Sequence, residues 1–259
     1  MDAESCLDLS LAVMSNRGNV SYNLSNKDML YGLAFAEELN GWNYTWTPGT
    51  ISTYRNMFSD SIDGKLSPFD NYYGCFVNYH LSPHCQINDI ADICRSWIKR
   101  KQYANDVKAN YIYQIILNVA ENGLHIRNSY SKTKSCLGVI VEDKVIVIYH
   151  ISNGLGFCET FNTNTGKSSS LKELFDGTWK GKFGRAQGLG LPEIARHAMA
   201  LDGRITCCSS GVKLKINRDK PKSHIKRFVQ KLNNTYEIAF AENVHNAVPG
   251  NYLLVVLPR

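Results

Sequence analysis

The run GRAQGLGLPEIARHAMALDGRI, residues 184–205, decides how the rest of the chain is read. Its Gly188-Leu189-Gly190 leads into a helix-forming stretch at 191–201, with Pro192 in the first turn, where a missing N–H costs no hydrogen bond. Glycines ahead of a helix let the backbone come close to an anion that side chains would hold off. The start of the helix adds partial positive charge. Asp202-Gly203 then turns the chain into two strands, at 204–209 and 212–217.

Upstream, Ile112, Ile115, Ile116 and Val119 recur at helical spacing, so 110–125 is an amphipathic helix. Its neighbouring face carries Gln114, Asn118 and Asn122 at four-residue intervals, and Glu121 lies about a quarter-turn off that face. Strands follow at 136–141 and 144–151, joined at Glu142-Asp143, and the second runs into ISNGLGF, residues 151–157, with a glycine pair at Gly154 and Gly156. The Gly/Ser/Thr-rich stretch 162–170 reads as a mobile loop. Downstream, VPGNYLLVVLP, residues 248–258, supplies a last strand at 252–257. Nearer the N-terminus, a helix over 87–101 has Ile90, Ile93, Trp97 and Ile98 as its stripe. Another opens at a capping box, 25–28, and closes at Gly41; the aromatic, turn-rich stretch 42–79 gives no pattern.

This order resembles the GHKL, or Bergerat-fold, ATPases related to histidine kinases, and among them the bacterial anti-sigma-factor kinases. The likeness spans residues 111–259. It implies an α+β fold, a two-layer α/β sandwich, in a domain over 106–259 with a basic insert at 218–243; a mainly helical interaction region occupies 1–105. In that family the first helix carries a Glu that activates the attacking water and an Asn that holds magnesium. Asn118 stands at the Glu position and Asn122 at the Asn position, or, in a second register, Gln114 and Asn118 do; neither register has a carboxylate base. Ser152 stands where an Asp accepts the adenine amino group, and Asn251 where a Thr helps to hold the base. Gly154, Gly156, Gly188, Leu189 and Gly190 match the phosphate-facing boxes, and Lys180, Lys182 and Arg185 fall in a lid-like stretch as phosphate contacts. The ligand implied is ATP or another nucleotide with magnesium, held through Asn122.

A positioned general base contributes about 10²–10⁴ in rate, so a chain without one is expected to turn over slowly. The resemblance therefore points to a regulatory or scaffolding pseudoenzyme that binds a protein partner. Two alternatives stand beside it. One is an active ATPase or serine kinase using an unconventional base such as Glu121. The other is a nucleic-acid module using the insert, where Arg218, Lys220, Lys222, Lys226, Arg227 and Lys231 face a single Asp219. A homodimer is compatible with each of them.

Composition bounds these options. The 259 residues are 44% apolar, enough for a buried core. Residues 1–92 hold four Lys/Arg against eleven Asp/Glu, a net −7, whereas 93–259 hold twenty-five against twelve, a net +13, so phosphate or an acidic partner suits the C-terminal part. No apolar run reaches the roughly 20 residues that cross a bilayer, and MDAESCLDLS has no basic n-region, so a cytoplasmic protein without a membrane partner is expected. The eight cysteines suit reduced buried thiols. Cys75, His80, His84, Cys85 and Cys94 fit no standard zinc frame. His125, His150 and His197, on elements with no nucleophile at a readable spacing, are expected to be structural.

Overall fold

Aliphatic residues at alternate positions of 135–152 and 251–258 build the middle of an antiparallel sheet. The computed structural model describes residues 67–69, 74–78, 87–100, 102–128, 135–141, 144–152, 155–166, 168–177, 190–209, 211–217, 237–243 and 251–259. In chain order the elements are β1 (Ser67–Phe69), β2 (Gly74–Asn78), α1 (Ile87–Arg100), α2 (Asp106–Asn128), β3 (Ser135–Val141), β4 (Val145–Ser152), α3 (Phe157–Thr165) and α4 (Leu171–Asp176). They continue with α5 (Gly190–Ala200), β5 (Arg204–Ser209), β6 (Val212–Asn217), β7 (Glu237–Asn243) and β8 (Asn251–Pro258). The fold is α+β. The strands form one sheet in the order β1-β2-β3-β4-β8-β5-β6-β7, with every neighbouring pair antiparallel.

Register fixes which side chains share a face. Val139 pairs with Ile148, Ile148 with Val255 and Val255 with Ile205, and Ile205 with Ile216, a row that crosses five strands. These residues belong to one buried cluster with Ile112, Ile115, Ile116 and Val119 of α2 and with Leu191, Ile194, Ala195 and Ala198 of α5. Helices α2 and α5 thus pack on each other and on this face. Residues of the opposite face, Val147, Tyr149, Tyr252 and Leu254, are also buried. At its centre Gly138 pairs with Tyr149, whose ring occupies the space a Cβ on Gly138 would need.

Several boundaries differ from those read in the sequence. The helix expected at 110–125 runs over Asp106–Asn128, and the one at 87–101 ends at Arg100 with Ala91, Cys94 and Ile98 buried. The division at residue 105 is not a division of the core. Ala91, Cys94 and Ile98 share the cluster of α2 and α5, and β2 pairs with β3, whose edge N–H and C=O groups need partners. The insert placed at 218–243 also shortens, because β7 within it is a strand of the sheet, paired with β6. The helix expected at 25–41 lies outside the described residues.

The stretch taken for a mobile loop at 162–170 is the end of one helix and the approach to another. Capping explains the difference. Gly156 N donates to Glu159 Oε2 at 2.7 Å at the start of α3. Ser170 and Glu173 form a reciprocal capping box at the start of α4. Both helices end on left-handed glycines, Gly166 and Gly177. Phe157 and Phe161, one turn apart, and Leu171, Leu174 and Phe175 are buried, which anchors both helices despite their polar composition. Asp202, at φ 55°, and Gly203, whose N–H meets Ala198 O at 2.8 Å, turn α5 into β5.

Candidate functional site

Asn118 and Asn122 of α2 lie four residues apart, and both bond back along the helix. Asn118 Nδ2 donates to Gln114 O at 2.7 Å and Asn122 Nδ2 to Asn118 O at 2.8 Å. Both are half-buried, whereas Glu121 is exposed. Back-bonding holds the Asn122 amide flat against the helix. There it meets the first residue of α5: a Cβ placed on Gly190 would lie 2.7 Å from Asn122 Nδ2. With glycine at 190, α5 begins this close to α2 without the Asn122 amide having to shift. The packed pair α2 and α5 therefore brings together two of the stretches singled out in the sequence.

The other two meet across the sheet. Ser152 pairs in register with Asn251, and Asn251 with Ser209, at one end of β4, β8 and β5. Asn251 is fully buried and Ser209 nearly so. Ser209 Oγ donates to Asn251 Oδ1 at 2.6 Å, and Phe157 N donates to both Ser209 Oγ and Asn251 Oδ1 at 2.8 Å. Asn251 Nδ2 closes the circuit on Leu155 O at 2.6 Å. Asn251, taken in the sequence as a residue that could handle a base, thus has its oxygen and one amide hydrogen engaged by the chain. Gly156 N and Phe157 N are likewise taken.

Ser209 was missed in the sequence, where a serine closing a strand is unremarked. The available signal was positional: Ser209 and Asn251 both bound strand-forming runs, RITCC and YLLVVL. The backbone of Ser152 ends β4, while Gly154 and the stretch with Lys180, Lys182, Arg185, Gly188 and Leu189 lie outside the described residues, as do the insert's basic residues 218–231.

Among the described residues, His150 and His197 are buried. His150 sits on β4, paired with Leu137 and Leu253, and its burial pushes its pKa down to about 4. His197, on α5, packs at 5.4 Å from the Tyr111 ring. Its pKa is lowered by burial and by Arg196, against an opposing pull from Glu193. Cys94, Cys207 and Cys208 are buried thiols outside any disulfide, and Cys158 is a half-buried one. Cys158 is pushed up to about 11 by burial and by Glu159 and Glu173, which makes it a poor nucleophile near neutral pH. No helix among the described residues is long and apolar enough to cross a membrane. No protein-family model matches the chain, and no curated protein matches it.

Proposed function

We propose that this protein binds a nucleotide, or a related phosphate-bearing ligand, on a degenerate GHKL-like domain and acts as a regulatory or scaffolding pseudo-ATPase. In this reading the sheet with α2 and α5 is the two-layer α/β sandwich of a Bergerat domain, and the acidic N-terminal region engages a protein partner. The observation that carries it is the contact of Asn122 with Gly190. A carboxamide beside a glycine-led helix start sets an amide oxygen, a magnesium ligand type, next to backbone N–H groups of the kind that receive phosphate. The same contact favours the register with Asn118 at the base position and Asn122 at the metal position.

The chemistry of these side chains opposes turnover. Asn118 cannot accept a proton from water, and Glu121 is exposed on another side of α2. A thermal-shift screen with ATP, ADP, GTP and cyclic nucleotides, with and without magnesium, tests the reading. It expects a magnesium-dependent shift for at least one nucleotide and phosphate release no faster than background. Fast hydrolysis abolished by Glu121→Ala would establish the enzyme alternative instead.

A further inference from the structure

The sheet has a second buried face, opposite the helices. On it Tyr149 pairs in register with Leu254, Val147 with Val256, and Tyr252 with Cys208. These side chains are at most 7% exposed. None of them belongs to the cluster that holds Ile148, Val255 and Ile205, to which, among the described residues, each of α1 to α5 contributes buried side chains. Apolar side chains are kept from water only where other groups lie over them, so a further part of the chain covers this face.

Connectivity narrows the choice. The stretches 70–73, 142–143, 153–154 and 210 join adjacent elements and are too short to cross a sheet, while 79–86, 129–134 and 178–189 are each tied to a helix of the other face. The stretch 244–250 leads from β7 to β8 and spends its length on three strand spacings, about 14 Å. Two long stretches remain, 1–66 and 218–236. The second joins β6 to β7, and burial on this face fades towards it: Lys213 and Lys215 of β6 are half-buried and Asn217 is exposed. The first leads into β1 at the opposite edge and carries apolar runs with Leu7, Leu9 and Leu11, and with Leu30, Leu33 and Phe35. We infer that residues 1–66 dock on the face of Tyr149 and Tyr252 as a layer of the fold. The inference stands apart from the nucleotide reading. It gives the acidic N-terminal region a second occupation: a partner that takes hold of these apolar residues competes with the sheet for them.

Adjacent cysteines test this in the full chain, because Cys207 belongs to the helix-side cluster and Cys208 lies beneath the inferred layer. Maleimide labelling of each, located by fragment-ion mass spectrometry, is compared in wild type, Leu9→Asp with Leu11→Asp, Leu30→Asp with Leu33→Asp, and Ile225→Asp with Phe228→Asp in the insert. At least one N-terminal variant is expected to speed Cys208 by about 10–100-fold, the worth of one buried aliphatic side chain, with Cys207 unchanged. The insert variant leaves Cys208 no faster than Cys207 relative to wild type. If an aspartate variant speeds both cysteines alike, through opening of the whole chain, the corresponding alanine pair is read in its place. Equal acceleration of both cysteines there as well, no change at Cys208 in either N-terminal variant, or selective acceleration of Cys208 by the insert variant overturns the inference.

Discussion

Asn122 of α2 lies against Gly190 of α5 so closely that a single added methyl would stand 2.7 Å from its amide nitrogen. Asn122 is itself held by Asn118 O, and the two helices share one buried core. The contact ties the polar face of one helix to the glycine start of the other.

Replacing that glycine sets two effects against each other. Alanine at a helix position gains up to about 1 kcal/mol over glycine, whereas forcing a methyl into the Asn122 amide costs about 1–3 kcal/mol. The clash is expected to win, so Gly190→Ala destabilises the protein. In an Asn122→Ala background the same change becomes neutral or stabilising. Urea unfolding of the four proteins in a double-mutant cycle measures the coupling, expected at about 1–2 kcal/mol. Additive effects would mean that the two residues do not meet.

A second close approach sits in the sheet. Gly138 faces the Tyr149 ring across β3 and β4, and any side chain at 138 collides with it. Gly138→Ala is expected to cost about 1–3 kcal/mol, and Tyr149→Leu in the same chain to recover part of that by vacating the ring's space. Thermal unfolding distinguishes the outcomes; a Gly138→Ala protein as stable as wild type contradicts the packing described.

His150 makes stability depend on pH. Its folded pKa, about 4, lies below its ordinary value of 6.5, so between these limits the unfolded chain takes up a proton that the folded chain refuses. Its contribution is complete above pH 6.5 and is lost as the pH falls towards 4. The whole shift corresponds to about 3 kcal/mol. Unfolding free energies at pH 7 and 4.5 should differ more in wild type than in His150→Leu. Equal slopes in the two proteins would remove His150 as the cause.

Much of the fold was legible because its periods are clean. Strands β5 and β6 have the bounds that their alternation and the Asp202-Gly203 turn imply. On α2, Ile112, Ile115, Ile116 and Val119 are all buried, as their spacing requires. What escaped was set by caps and by tertiary pairing. Helices α3 and α4 are short, and their polar composition hid the capping by Glu159 and Ser170. The place of β2 and β7 in the sheet depends on partners distant in the chain, which no local pattern encodes. The same limit applied to the site. Asn122, Gly190 and Asn251 stood out as residue types, but sequence could not tell that Asn251 spends its polar atoms on Leu155, Phe157 and Ser209.

The central claim is that the asparagine-and-glycine junction of α2 and α5 binds a nucleotide without turning it over. Calorimetric titration of wild type and Asn122→Ala with ATP, with and without magnesium, tests it most directly when phosphate release is followed in the same samples. The account predicts magnesium-dependent binding by wild type, at least about 10-fold weaker binding by Asn122→Ala, and no phosphate release above background. No heat of binding with any nucleotide, or binding followed by rapid phosphate release, would contradict it.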